Sequence, residues 1–194
     1  MSNLILIKHS IPDIDPNQPA NEWHLSDEGR ARCIPLAKEI IPYQPEILVS
    51  SHEPKAIETA QEISKIIHLP VKTAEHIHEH QRSSVQFTNQ EQFTLNIKNL
   101  FSHPTELVFG EETAKQAQKR ITSAIDGLIS VYANKNIAII SHGTVISLFL
   151  NSVLKIDPFE IWKQLDLPSF VVVSQPKFKL ISDAGASLFD SMTL

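Results

Sequence analysis

Leu4-Ile5-Leu6-Ile7-Lys8-His9-Ser10 near the N-terminus and Ile137-Ala138-Ile139-Ile140-Ser141-His142-Gly143 far downstream share one pattern. Four aliphatic residues run into a polar step that carries a histidine. An aliphatic run without polar alternation reads as a strand covered on both faces, the habit of parallel sheets lying between helix layers. Ligands of such sheets bind in the crevice beyond the carboxyl ends of the strands. Both histidines stand at that end, and if their strands are neighbours they face one pocket.

Outward from these two runs, the chain alternates strands and helices. A first strand is expected over 3–8 and a proline- and Asx-rich loop over 11–24. A helix is expected over 27–41, with Ser26 as N-cap and Asp27 and Glu28 in its first turn. Its apolar stripe is read as Ala31, Ile34, Leu36, Ala37, Ile40 and Ile41, and Pro35 predicts a kink or a late start. Ile47-Leu48-Val49 is a second strand. Pro54 then opens a helix to about Ile67, with Ala56, Ile57, Ala60, Ile63 and Ile67 inward. Residues 69–73 form a third strand, and 75–110 are irregular apart from a helix near 90–101. Helix 111–132, strand 136–141 and helix 144–154 follow, and 170–174 with 177–181 close the chain as a hairpin. This order predicts one domain over 1–194, a three-layer α/β/α fold around a mostly parallel sheet.

Composition narrows the function. The 194 residues are 42% hydrophobic and 20% charged, with a net charge of -5 and no Lys/Arg cluster, which argues against a nucleic-acid surface. No apolar stretch approaches the roughly 20 residues of a membrane helix, and no signal-peptide pattern is present, so no membrane association and a cytoplasmic location are expected. Cys33 is the single cysteine. It excludes an intramolecular disulfide and reads as a small buried hydrophobe.

Five segments now line up in order. Lys8-His9-Ser10 resembles the Arg-His-Gly signature of the histidine phosphatase superfamily, the phosphoglycerate-mutase-like fold. Leu25-Ser26-Asp27-Glu28-Gly29 resembles its Leu-Thr-x-x-Gly helix start, and Ser50 to Ala60 its Ser-Ser-x-x-x-Arg-Ala-x-x-Thr-Ala segment. Gly110-Glu111-Glu112 with Arg120 resembles its Gly-Glu-Ser…Arg helix, and Ser141-His142-Gly143 its second-histidine motif. The resemblance covers residues 4 to about 150.

It implies a phosphatase that acts on a small phosphorylated substrate without a cofactor. The physical chemistry agrees. A dianionic phosphomonoester calls for an uncharged nucleophile backed by cationic donors, and imidazole forms a phosphohistidine that splits hydrolysis into two easier steps. His9 is the expected nucleophile and His142 a charged donor to the phosphoryl oxygens. The helix start at Gly143 adds amide and dipole stabilisation. Glu79 is the expected general acid, ahead of Glu75 and Glu53, because Glu79-His80-Gln81-Arg82 sets an acid beside a guanidinium. Lys8 and Lys55 stand where the family usually has arginine. They keep the charge but lose the planar fork, which Arg82 is expected to replace. Ser10, standing for glycine, requires a backbone conformation that serine can adopt.

Two other readings remain: a mutase-type phosphotransferase, and a phospho-ligand-binding regulator with weakened catalysis. His76, His78 and His80 would share one face of a strand, a spacing compatible with a metal, but no further ligands converge and no metal is expected. Trp23 and Trp162 read as packing or pocket-wall aromatics. Glu111, Glu112 and Arg120 read as residues that orient neighbouring segments.

Overall fold

The computed structural model describes residues 2–184. Six strands form one sheet in the order β3-β2-β4-β1-β5-β6. They are β1 Ser2–Lys8, β2 Ile47–Ser50, β3 Val71–Thr73, β4 Ile137–Ser141, β5 Ser169–Gln175 and β6 Leu180–Ala184. β1–β4, β2–β4 and β2–β3 pair parallel, whereas β5 lies antiparallel to both β1 and β6. The expected closing hairpin is thus present, its second strand starting three residues later than the expected 177–181, and makes one edge of a mostly parallel sheet.

Among the described residues six α-helices cover the sheet: α1 Asp27–Ile40, α2 Pro54–Ile67, α3 Gln90–Ser102, α4 Ala114–Val131, α5 Gly143–Leu154 and α6 Pro158–Gln164. The side-chain period of two sorts each strand between two cores. Ile5, Ile7, Ala138, Ile140, Phe170 and Val172 pack under α1 and α2. Leu4, Leu6, Ile137, Ile139, Val171 and Val173 pack against α4, α5 and their neighbours. Every one of these residues is buried, which is why the aliphatic runs show no polar alternation. The architecture is the expected three-layer α/β/α. Among the described residues no helix is long and apolar enough to cross a membrane.

Several local expectations need correction. α1 begins at Asp27, with Ser26 accepting from the Gly29 amide at 3.0 Å, so Pro35 does not delay it. Pro35 is exposed, and the carbonyl its missing N–H leaves free is on the wet side. The buried stripe is Gly29, Cys33, Leu36, Ala37 and Ile40, while Ile34 is 47% exposed. One residue advances a helix by about 100°, so Ile34, next to Cys33, has turned off the buried face. α4 starts three residues later than expected, behind a capping box between Thr113 and Gln116. The 75–80 segment is not a strand, so its histidines share no face. His76 is exposed with a left-handed φ of 68°, and His80 is buried with Nε2 2.7 Å from the Glu112 carbonyl. The short helix α6 was not expected at all, although Asp157-Pro158 is a cap followed by an N1 proline.

Candidate active site

The register of β1 with β4 decides the site. Lys8 is the Cα partner of Ser141, and the His9 amide extends the ladder to the Ser141 carbonyl at 3.0 Å. His9 and His142 therefore leave the sheet at the same level, with ring centroids 5.1 Å apart. His9 Nδ1 lies 2.7 Å from the Ser10 carbonyl oxygen, which can only accept, so Nδ1 carries the proton and Nε2 holds the lone pair. Burial, reinforced by His142, Lys55 and Lys8, holds His9 well below the ordinary imidazole range despite that bond. The ring is neutral at neutral pH, as a nucleophile needs.

His142 lies behind His9 and is fully buried. Its Nε2 is 2.9 Å from Ser51 Oγ and 3.4 Å from Glu53 Oε1, and its Nδ1 has no partner among the described residues. Burial and Lys55 keep it too well below the usual range, outweighing Glu79. That direction works against the charged donor expected at His142.

Lys8, His9, Lys55, Glu79, Arg82 and Gly143 all line one cavity of about 960 Å³. Lys8 Nζ donates to the Leu165 carbonyl at 2.7 Å, and burial lowers its pKa to about 8 against the pull of Glu79 and Asp166. Lys55 is 4% exposed and donates to Glu53 Oε2 at 2.5 Å and to the Ala20 carbonyl at 2.6 Å. The absence of a side chain at Gly143 accommodates the Lys8 stem: a Cβ there would meet Lys8 Cε at 3.2 Å and Trp162 Cδ1 at 3.5 Å.

Glu79 sits at the N-terminus of α5. Its Oε2 accepts from the Thr144 amide at 3.3 Å and from Arg82 at 3.4 Å, and Oε1 from the His80 amide at 2.8 Å. Burial alone would raise its pKa, but Arg82, His142 and that amide prevail and hold it far below the carboxylate range. A carboxylate thus fills the anion position of the helix start. Arg82 lies over Phe93, 5.0 Å from the ring centroid, and reaches Thr144 Oγ1 at 3.5 Å.

Supporting residues explain the flanking motifs. Ser10 does not adopt a left-handed φ; its hydroxyl donates to the Gly29 carbonyl at 2.7 Å and its amide to Thr59 Oγ1 at 3.0 Å. Serine is therefore unstrained there. Gly29 in turn permits the contact of α1 with the loop, since a Cβ would come 2.1 Å from the Ile11 carbonyl oxygen. Arg120 donates to the carbonyls of His76, His78 and Glu79 and to Glu112, while Glu112 accepts from the Gln81 amide. These two residues shape the Glu79 loop, as expected of them.

Glu53 was read only as an alternative acid. It proves to be the centre of a buried network that joins Lys55, His142 and, at 2.8 Å, the Glu79 amide. Its place in Ser51-His52-Glu53-Pro54 ahead of α2 signalled a helix start, not this connectivity. Leu165, whose carbonyl anchors Lys8, was not identified because the segment around α6 was not resolved from the sequence.

The family model described as the histidine phosphatase superfamily (branch 1) matches residues 4–177. The chain belongs to that superfamily. Its segments from Lys8-His9 to Ser141-His142-Gly143 fall inside the match. Solved structures of similar fold include a mutant phosphoserine phosphatase from Entamoeba histolytica in complex with phosphoserine. It is 21% identical with a TM-score of 0.78, and the alignment covers 97% of this chain and 100% of that one. A mycobacterial glucosyl-3-phosphoglycerate phosphatase with inorganic phosphate is 19% identical with a TM-score of 0.76, over 97% of this chain and 99% of that one. No curated protein matches significantly.

Proposed function

We propose that this superfamily member hydrolyses a small phosphomonoester through a phosphohistidine on His9. The observation that carries the reading is the His9 imidazole, its Nδ1 proton committed to Ser10 and its pKa held low, in the cavity that Lys8, Lys55 and Arg82 also line. In the first step Nε2 attacks phosphorus in line, and the bond to the ester oxygen breaks. The leaving alkoxide takes a proton from Glu79. In the second step water attacks phosphorus, gives its proton to Glu79, and the P–N bond breaks to restore His9.

Lys8, Lys55 and Arg82 hold the phosphoryl oxygens with the Gly143 amide, the Thr144 amide being taken by Glu79, and His142 backs them. Glu79 is ionised in the resting site, so it must gain its proton as substrate enters. A bound phosphate raises its pKa by like-charge repulsion, and a monoanionic ester brings the proton with it. The phosphatases of similar fold, which bind phosphoserine or inorganic phosphate, support a small phosphorylated ligand here.

A mutase needs a second anion site. The remaining cation on the cavity wall, Lys163, is already paired with Glu160 at 2.9 Å, which favours hydrolysis. The test is a phosphatase assay over sugar phosphates, phosphoglycerates and nucleotides, with His9→Ala beside the wild type. Phosphate release by the wild type and none by the variant supports the proposal; equal release by both removes it.

A further inference from the structure

We infer that the outer part of the cavity selects a phosphomonoester whose leaving group is an aromatic alcohol, held against the aromatic side chains that line it. This rests on the phosphatase reading and narrows its substrate class. Among them are Trp23 and Phe87, ring centroids 6.3 Å apart. Phe93, 5.9 Å from Trp162 and 6.2 Å from Phe109, lines the same cavity and carries the Arg82 guanidinium over its ring. Trp23 is held in place by its indole N–H, which donates to the carbonyls of Asp15 at 3.0 Å and Gln18 at 3.2 Å. Its polar atom is thereby satisfied, and its ring is left as an apolar surface for stacking.

The same cavity is poor in free positive charge beyond its phosphate end. Apart from the phosphate-holding Lys8, Lys55 and Arg82, the lysine on its wall among the described residues is Lys163, which is paired with Glu160. Burial and Arg120 lower the pKa of His78, so it offers little charge at neutral pH. Glu111, also on the wall, is anionic and accepts from the Ser83 and Ser84 amides. A second anionic group on the substrate, such as the carboxylate of phosphoserine or of a phosphoglycerate, would have to break an existing pair and face Glu111. An uncharged aromatic group meets neither cost. Phe87 is 49% and Ile14 51% exposed at this cavity, apolar surface that such a group would cover. The volume of about 960 Å³ lies at the upper end of the roughly 300–1,000 Å³ typical of sites that enclose ligands much larger than phosphate.

The test compares 2-naphthylmethyl phosphate, ethyl phosphate and 3-phosphoglycerate by steady-state kcat/KM. The arylmethyl ester releases an ordinary alkoxide, so a preference for it reports contact with the walls and not an activated leaving group. The expected preference is on the order of a hundredfold over both other esters. Phe87→Ala, a change at a half-exposed position, should reduce the naphthylmethyl-to-ethyl ratio by about tenfold. Equal or better turnover of 3-phosphoglycerate, or an unchanged ratio in Phe87→Ala, overturns the inference while leaving the phosphatase reading standing. Hydrolysis of none of the three overturns both.

Discussion

Glu53 joins His142 to Lys55: one carboxylate oxygen lies 3.4 Å from His142 Nε2 and the other 2.5 Å from Lys55 Nζ. His142 and the lysine of α2 are thus joined through one buried acid.

Glu53→Gln keeps the shape of this residue and removes its charge. Lys55 would then be a buried ammonium without its counter-ion, and breaking such a pair costs about 3–5 kcal/mol. The expected outcome is a stability loss of that size, measured by urea unfolding. Adding Lys55→Met to the variant should recover part of it. A variant as stable as the wild type would show that the pair is not buried in solution.

Lys8 supplies a pH dependence. Its pKa falls from 10.5 to about 8 because burial disfavours the ammonium. Between those values the unfolded chain binds more protons than the folded one, so this residue's contribution to stability rises with pH from about 8 towards 10.5. Phosphate binding has the opposite sign, since it uses the ammonium. The kcat/KM profile should therefore fall on the basic side near pH 8. Lys8→Arg, which cannot deprotonate, should abolish that limb. A limb that persists unchanged in Lys8→Arg assigns it to another group.

The reach of sequence reading follows from how each feature is encoded. β1 and β4 were legible because burial on both faces requires unbroken aliphatic runs, and their ends marked His9 and His142. α1 was placed correctly, but its stripe was misread because Ile34 and Ile41 are hydrophobic yet about half exposed. Hydrophobic identity alone does not separate core from surface. The start of α4 was missed because Glu111 and Glu112 look helical, whereas their carboxylates accept the amides of the distant 81–84 loop. α6 has only seven residues, too few to display a period. The role of Glu53 depends on Lys55, His142 and Glu79 meeting through the fold, a relation no local pattern carries.

Glu79 offers a test of proton delivery. Glu79→Gln cannot protonate a leaving group, and general acid catalysis contributes about 10²–10⁴-fold. The kcat for an alkyl phosphate should fall on that scale. An activated ester such as p-nitrophenyl phosphate, whose leaving group needs no proton, should lose far less. Equal losses for both substrates would make Glu79 a positioning residue instead.

A covalent phosphoryl intermediate on His9 can be trapped during turnover. The protein is mixed with a phosphorus-labelled phosphomonoester, quenched in base during turnover, digested and mapped. Base-stable, acid-labile phosphate is expected on the peptide that carries His9, and none in His9→Ala. Steady turnover with no such adduct, together with full activity in His9→Ala, would contradict it.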